Sequence, residues 1–342
     1  MKIIELRHTN GIKHLREFKK NPDKFFKTYI QNDIDALKIK VFSLDYYIII
    51  SPKLIESFMK DVNNVIKPPE EIKRNSLLLG SGIINTNPPI WNSKKKKIQN
   101  TFHPSKINLF LSNDIEDIII KEISNSKIND IDYLITKITL KIICNYLFGR
   151  GLSEQQTISI NKAVQNVIDY YYNSQFNIVS KLLKRNTHKS DIKLLRTQVE
   201  YISSFDSSFI KGLKESDFSP EEIYDEIITA LIVGYDSVKN SINTTLKIIY
   251  TSDSLLEDLR DDKVNLKNVI YESLRLYPPA WTISRQTQVD KYIENIKFDK
   301  YSNIIISPWI THRISFPDNP FDYDYTRWDN EDLYKKIGSV AK

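Results

Sequence analysis

The chain has 342 residues, 49 Lys plus Arg against 43 Asp plus Glu, and a formal net charge of +6. Its 41% hydrophobic and 27% charged residues exclude a disordered chain, and 8 Gly with 13 Pro argue against a turn-rich all-β fold. The single cysteine, Cys144, excludes an intramolecular disulfide and any zinc site built from several cysteines.

Residues 13–34 read as a helix interrupted around Asn21-Pro22. KIKVFSLDYYIIISP, residues 38–52, has the β-branched and aromatic richness of strands, with Pro52 as its close and a helix expected over 53–63. Residues 68–89 read as irregular, with Gly80, Gly82 and a Pro-Pro pair. From 113 to 250 apolar residues recur at three- and four-residue spacing, which predicts a long helical body. After 276 the pattern turns to short strands such as IIIS, residues 304–307. The expected architecture is mainly α with a small β-sheet, in one domain over 1–342. No apolar run reaches the roughly 18 residues of a membrane span, and MKIIELRHTNGIKHLREFKK lacks the apolar core of a signal peptide. A cytoplasmic location is the resulting expectation. Lys and Asn are spread along the whole chain, so the basic excess predicts a solvated surface and no nucleic-acid ligand.

Three stretches carry chemistry. In SPEEIYDEIITALIVGYDSVKNSINTTLKII, residues 219–249, Ser219 is placed as N-cap, Pro220 at the first helical position, and Glu222 as partner in a capping box. Gly234 in mid-helix costs roughly 1 kcal/mol against Ala, so it implies either helix packing or a flat ligand close to the backbone. Asp236 beside Ser237 is either solvent-facing or used. In NVIYESLRLYPP, residues 268–279, Glu272 and Arg275 are neighbours on one helix face, partly buried by flanking apolar residues, and Pro278-Pro279 ends the helix. In WNSKKKKIQNTFHPS, residues 91–105, Trp91 and Lys95 share a helix face and together suit an anionic group. A solvated basic turn and a nucleic-acid patch are the other readings of that run.

Taken in order, these stretches resemble a cytochrome P450. WNSKKKKIQNTFH is similar to the family's W-x-x-x-R helix with its aromatic-His pair, GYDSV to the oxygen-binding groove, and YESLRLYPP to the E-x-x-R helix. Tyr323-Asp324-Tyr325-Thr326-Arg327-Trp328 looks like the F-x-P-x-R-F segment. The resemblance implies a haem cofactor and insertion of one oxygen atom from O2 into a small apolar substrate. It also implies electrons from a separate ferredoxin or flavoprotein reductase. Trp91 and Lys95 would hold one haem propionate and Arg285 the other, while Val233 and Gly234 line the oxygen face. Asp236 and Ser237 would relay protons. Glu272, Arg275 and Arg327 would be structural, and Trp281, Thr282, Ile283 and the 68–90 segment would touch substrate.

This sequence departs from the family at Lys95 for arginine and Ser237 for threonine. After the arginine-aromatic segment, where the resemblance expects a cysteine loop, the chain reads WDNEDLYKKIGSVAK and ends at Lys342. The expectation is therefore a C-terminally incomplete fold without the haem-ligating cysteine loop and final helix, impaired or inactive as this chain alone and poorly soluble. Cys144, in an apolar helical stretch, is not expected to substitute, and His312 reads as structural. The alternative is a haem-free relic that binds a small ligand or a protein.

Overall fold

A computed structural model describes residues 1–6, 11–29, 34–41, 44–99, 101–102, 115–126, 130–149, 153–174, 190, 192–197, 199, 207–316 and 318–329. The chain divides into two compact units, residues 70–243 and residues 1–69 with 244–342.

The second of these holds the sheet. Strands β1 (Ile3–Leu6), β2 (Ala36–Val41), β3 (Leu44–Ile49), β4 (Val65–Ile66), β5 (Ile283–Thr287) and β8 (Asn303–Ile306) lie in the order β1-β2-β3-β8-β5-β4. The register pairs Ile48 with Ile305 and Arg285 with Ile304. Alternate side chains separate to opposite faces, as the two-residue period requires. Leu37, Ile39 and Ile48 join Phe18, Phe25 and Trp309 in one core, whereas Tyr47, Ile49 and Ile304 join Phe58 and Phe298 in another. Strands β6 (Lys291–Ile293) and β7 (Ile296–Phe298) form a separate hairpin. Helices α1 (Gly11–Lys20) and α2 (Pro22–Tyr29) break at Asn21-Pro22, as the sequence predicts.

Two local readings are corrected. Pro52 does not close the preceding strand; it opens helix α3 (Pro52–Lys60) behind an extended Ser51, where its missing N–H costs nothing. Residues 68–89 are not irregular throughout, because α4 (Pro69–Leu79) occupies half of them. Its proline sits at the start, Glu70 and Glu71 favour the positive helix end, and Gly80 at φ +48° ends it. Leu78 is its one buried residue, so its apolar periodicity is faint.

The helical unit contains α4, α5 (Ile90–Ile98), α6 (Ile115–Asn125), α7 (Ile131–Phe148), α8 (Glu154–Ser174), α9 (Ser208–Glu215) and most of α10 (Pro220–Tyr250). The capping box of α10 forms as read: the Ser219 amide donates to Glu222 Oε2 at 3.1 Å, and the Glu222 amide donates to Ser219 Oγ at 3.3 Å. Leu140, Cys144, Leu147, Val164, Phe209, Ile227 and Leu231 build its core. The sheet-bearing unit also carries α11 (Asp253–Arg260), α12 (Leu266–Leu276) and α13 (Pro308–Ile314). No helix among the described residues is long and apolar enough to cross a membrane.

Candidate active site

Trp91, Lys95, Val233, Gly234, Asp236 and Ser237 belong to the helical unit; Glu272, Arg275, Trp281, Thr282, Ile283, Arg285 and Arg327 belong to the sheet-bearing one.

The four lysines of α5 do four different things. Lys95 is exposed, with Nζ 4.9 Å from the centroid of the Trp91 ring, a cation over an indole on one helix face. Lys94 points inward, 2% exposed, and donates to Glu226 Oε1 at 3.1 Å, with Glu222 Oε1 at 3.3 Å. Lys97 donates to the Asp217 carbonyl at 2.8 Å, and Lys96 is exposed. Three of the four thus have intramolecular partners, which a solvated basic turn does not require.

Lys94 opens onto a polar cluster that the sequence reading missed. Asp225 Oδ2 accepts from the Ser81 amide at 2.7 Å and the Ser81 hydroxyl at 3.1 Å, while Glu226 Oε2 accepts from the Ile83 amide at 3.1 Å. Asp225 and Thr229 also press on Gly80 and Gly82, leaving no room for a Cβ at either position. Burial pushes the Glu226 carboxyl above its ordinary range, against the pull of the Ile83 amide and Lys94. Two consecutive acids, two glycines and a lysine therefore pin the 80–86 turn to α10. The only sequence signal was an acidic pair at the start of an otherwise apolar helix.

At the middle of α10, Tyr235 is wholly buried; its hydroxyl donates to Asn161 Oδ1 at 2.7 Å and accepts from Gln165 Nε2 at 3.2 Å. Gly234 lies against α7, where a Cβ would come within 2.9 Å of Ile143 Cδ1. Val233 is 43% exposed, and the Ser237 hydroxyl donates back to its carbonyl at 2.6 Å. That bond commits the serine proton to the backbone and leaves the oxygen lone pairs free to accept. Asp236 is half-buried, and burial holds its carboxyl above the usual range, opposed by Lys239 and Asn240. This face of α10 offers an apolar step, a hydroxyl acceptor and a carboxyl that takes a proton more readily than an exposed one.

In the sheet-bearing unit Glu272 is wholly buried and Arg275 is 2% exposed. Arg275 Nε and Nη2 each donate to a Glu272 oxygen at 2.7 Å, a two-pronged pair. Glu272 also accepts from the Asp324 amide and the Trp328 indole, both at 3.0 Å. The spare Arg275 donors reach the carbonyls of Pro320 at 2.9 Å and Asp322 at 3.0 Å. Arg327 Nε lies 3.5 Å from Glu272 Oε1, and its remaining nitrogens bond the carbonyls of Asp318 and Asn319. The α12 pair and the 318–329 segment are thereby joined into one layer. Burial lowers the proton affinity of the neighbouring His312 imidazole.

Trp281 packs 5.4 Å from Phe18, and its carbonyl accepts from Ser307 Oγ at 2.7 Å. Thr282, Ile283 and Arg285 are half-buried, the latter two on β5, and Arg285 Nη1 donates to the Ser284 carbonyl at 2.8 Å. Cys144 is completely buried in α7, and burial drives its thiol far away from the thiolate form. His103 and the segment 330–342 lie outside the described residues.

The family model for cytochrome P450 matches residues 8–265 and 257–340. A cytochrome P450-like protein of Acanthamoeba polyphaga mimivirus is 24% identical over 302 residues, 76% of this chain and 62% of that protein. Cyclooctatin synthase of Streptomyces melanosporofaciens is 20% identical over 293 residues, 73% of this chain and 63% of that protein. The chain thus spans under two thirds of the length of these relatives. Among solved structures, CYP175A1 from Thermus thermophilus superposes with a TM-score of 0.77 at 17% identity, covering 96% of this chain and 82% of that one. A 6-coordinated cytochrome P450 from a second strain of Thermus thermophilus gives 0.71 at 18% identity, covering 96% and 80%. The matched architecture and the extent of the family match make this chain a member of the cytochrome P450 family, with its mainly helical fold and small sheet.

Proposed function

We propose that the chain is the scaffold of a haem monooxygenase that inserts one oxygen atom into a small apolar substrate, impaired as this chain alone. The observation that carries this reading is the α10 face, where an exposed Val233, the back-bonded Ser237 and the half-buried Asp236 coincide. Trp91 with Lys95 in the helical unit, and separately Arg285 in the sheet-bearing unit, each carry donors of the kind that binds a haem carboxylate. Haem when bound supplies O2 activation, which no side chain here provides. Ser237 accepts a hydrogen bond at its oxygen and Asp236 holds or gives a proton beside it. Trp281, Thr282, Ile283 and the 68–90 turn are the proposed substrate contacts, and electrons come from a separate ferredoxin or flavoprotein reductase.

Trp91 with Lys95, and separately Arg285, would suit a haem carboxylate, but Cys144 does not suit its iron. Cys144 is the chain's one cysteine, and a thiol sealed among Leu140, Leu147 and Ile227 cannot ligate iron without unfolding α7. The same burial favours a second reading, a haem-free relic that binds a small apolar molecule or a protein. Titrating purified chain with haemin, followed by tryptophan quenching, separates the two. The scaffold reading predicts saturable binding weakened at least several-fold in Lys95→Ala and in Arg285→Ala. Binding that is absent, or indifferent to both changes, supports the relic.

A further inference from the structure

The middle of α10 places a lysine where the acid of the proposed proton relay can feel it. Lys239, 8% exposed, is three residues after Asp236 and four after Tyr235, hence beside both on the helix surface. Its Nζ lies 5.6 Å from the centroid of the Tyr235 ring, over the electron-rich face. The ring cannot tilt freely, because its hydroxyl is gripped by Asn161 at 2.7 Å and Gln165 at 3.2 Å, one helical turn apart on α8. A buried tyrosine needs such partners, and here two amides of α8 converge on one phenol. Tyr235 thus fixes both the rotation of α10 and the seat of the ammonium.

We propose that Lys239, seated on the ring of Tyr235, is a positioning residue that supplies the counter-charge of the Asp236 carboxyl, and that the Asn161–Gln165 grip on Tyr235 holds it there. The idea deepens the proton-relay reading of Asp236 and rests on it. Burial and Lys239 act on Asp236 in opposite directions, burial favouring the protonated acid and the ammonium the carboxylate, with Asn240 donating a further hydrogen bond. Among the described residues, α7 brings Ile143 against Gly234, the Thr136 side chain, which hydrogen-bonds Tyr235, and Asp132, whose negative charge reaches Tyr235 and whose carboxylate accepts from Asn243 at 2.6 Å. Among the described side chains of α8, the two neutral amides reach Tyr235. Lys239 is therefore, among the described residues, the cation that favours the ionised form of Asp236. An acid so balanced can take up and return a proton, whereas one governed by burial alone stays protonated longer as pH rises.

The test is a carboxyl-carbon NMR titration of the intact chain labelled at aspartate, with Asp236 assigned through Asp236→Asn. Lys239→Met should move the Asp236 midpoint upward by roughly 0.5 pH unit or more, and Lys239→Arg should restore it. Tyr235→Leu should raise the midpoint in the parent chain, and should add nothing when Lys239→Met is already present. An unmoved midpoint in folded Lys239→Met, or a Tyr235→Leu shift that persists in full without Lys239, overturns the proposal. Should Tyr235→Leu fail to fold, the Lys239 pair decides alone. Because no haem is needed, failure here is separable from failure of the relay reading, which would show as loaded Asp236→Asn protein turning over like the parent.

Discussion

The Glu272 layer and the middle of α10 both bury charged or polar groups, but they treat them differently. Around Glu272 four donors hydrogen-bond one carboxylate with the Arg327 guanidinium 3.5 Å away, and the spare donors of Arg275 end on carbonyls. Around Asp236 the carboxyl is half-buried, held above its usual range by burial and only partly offset by Lys239 and Asn240. A densely hydrogen-bonded network fixes a conformation, because any motion leaves a buried charge without its partner. An under-compensated acid on an accessible helix face can change its protonation state at small cost. The difference separates a carboxylate locked in its partners from one that can change charge.

The comparison breaks most visibly at Glu272. Glu272→Gln should leave the Arg275 guanidinium buried without its carboxylate and cost about 3–5 kcal/mol in urea unfolding; a loss under ~1 kcal/mol would mean that the layer is dispensable. Lys94→Met comes next, at about 2–3 kcal/mol, because Glu226 then keeps its burial without its cation. The sign with pH follows from the raised carboxyl. The folded form binds more protons than the unfolded one, so this contribution favours folding below the ordinary value of 4.5 and is lost as pH rises through the raised one. Lys94→Met should steepen that loss, measured as the slope of unfolding free energy against pH. Gly234→Ala is smaller, about 1–2 kcal/mol of overpacking offset by up to ~1 kcal/mol of helix propensity, and Ile143→Val should relieve it. Asp236→Asn acts in the stabilising direction instead: removing a penalised carboxylate should stabilise the chain at neutral pH by about 0.5 kcal/mol after solvent screening. A destabilisation there would place Asp236 among the densely hydrogen-bonded residues.

Much of this layout was legible in the sequence where it depended on neighbours in the chain. The capping box of α10, the Glu272–Arg275 pair and the Trp91–Lys95 face are spacings of three or four residues, and helix geometry alone brings them together. Lys94 and Glu226 are 132 residues apart, and no local pattern marks which of four consecutive lysines turns inward. The grip of Asn161 and Gln165 on Tyr235 was hidden for the same reason, since two amides on an amphipathic helix read as solvent-facing. Helix α4 was missed because Gly and Pro at its ends outweighed a periodicity that buries only Leu78. Gly234 was read as ambiguous between a packing contact and a ligand approach; its clash distance to Ile143 supplies the packing contact.

The most direct test of the account is the carbon monoxide difference spectrum of the purified 342-residue chain reconstituted with haemin and reduced. With Cys144 sealed in the core, the account predicts bound haem without the red-shifted Soret band of a thiolate-ligated iron, and an identical spectrum from Cys144→Ser. A thiolate-type band that disappears in Cys144→Ser would contradict it.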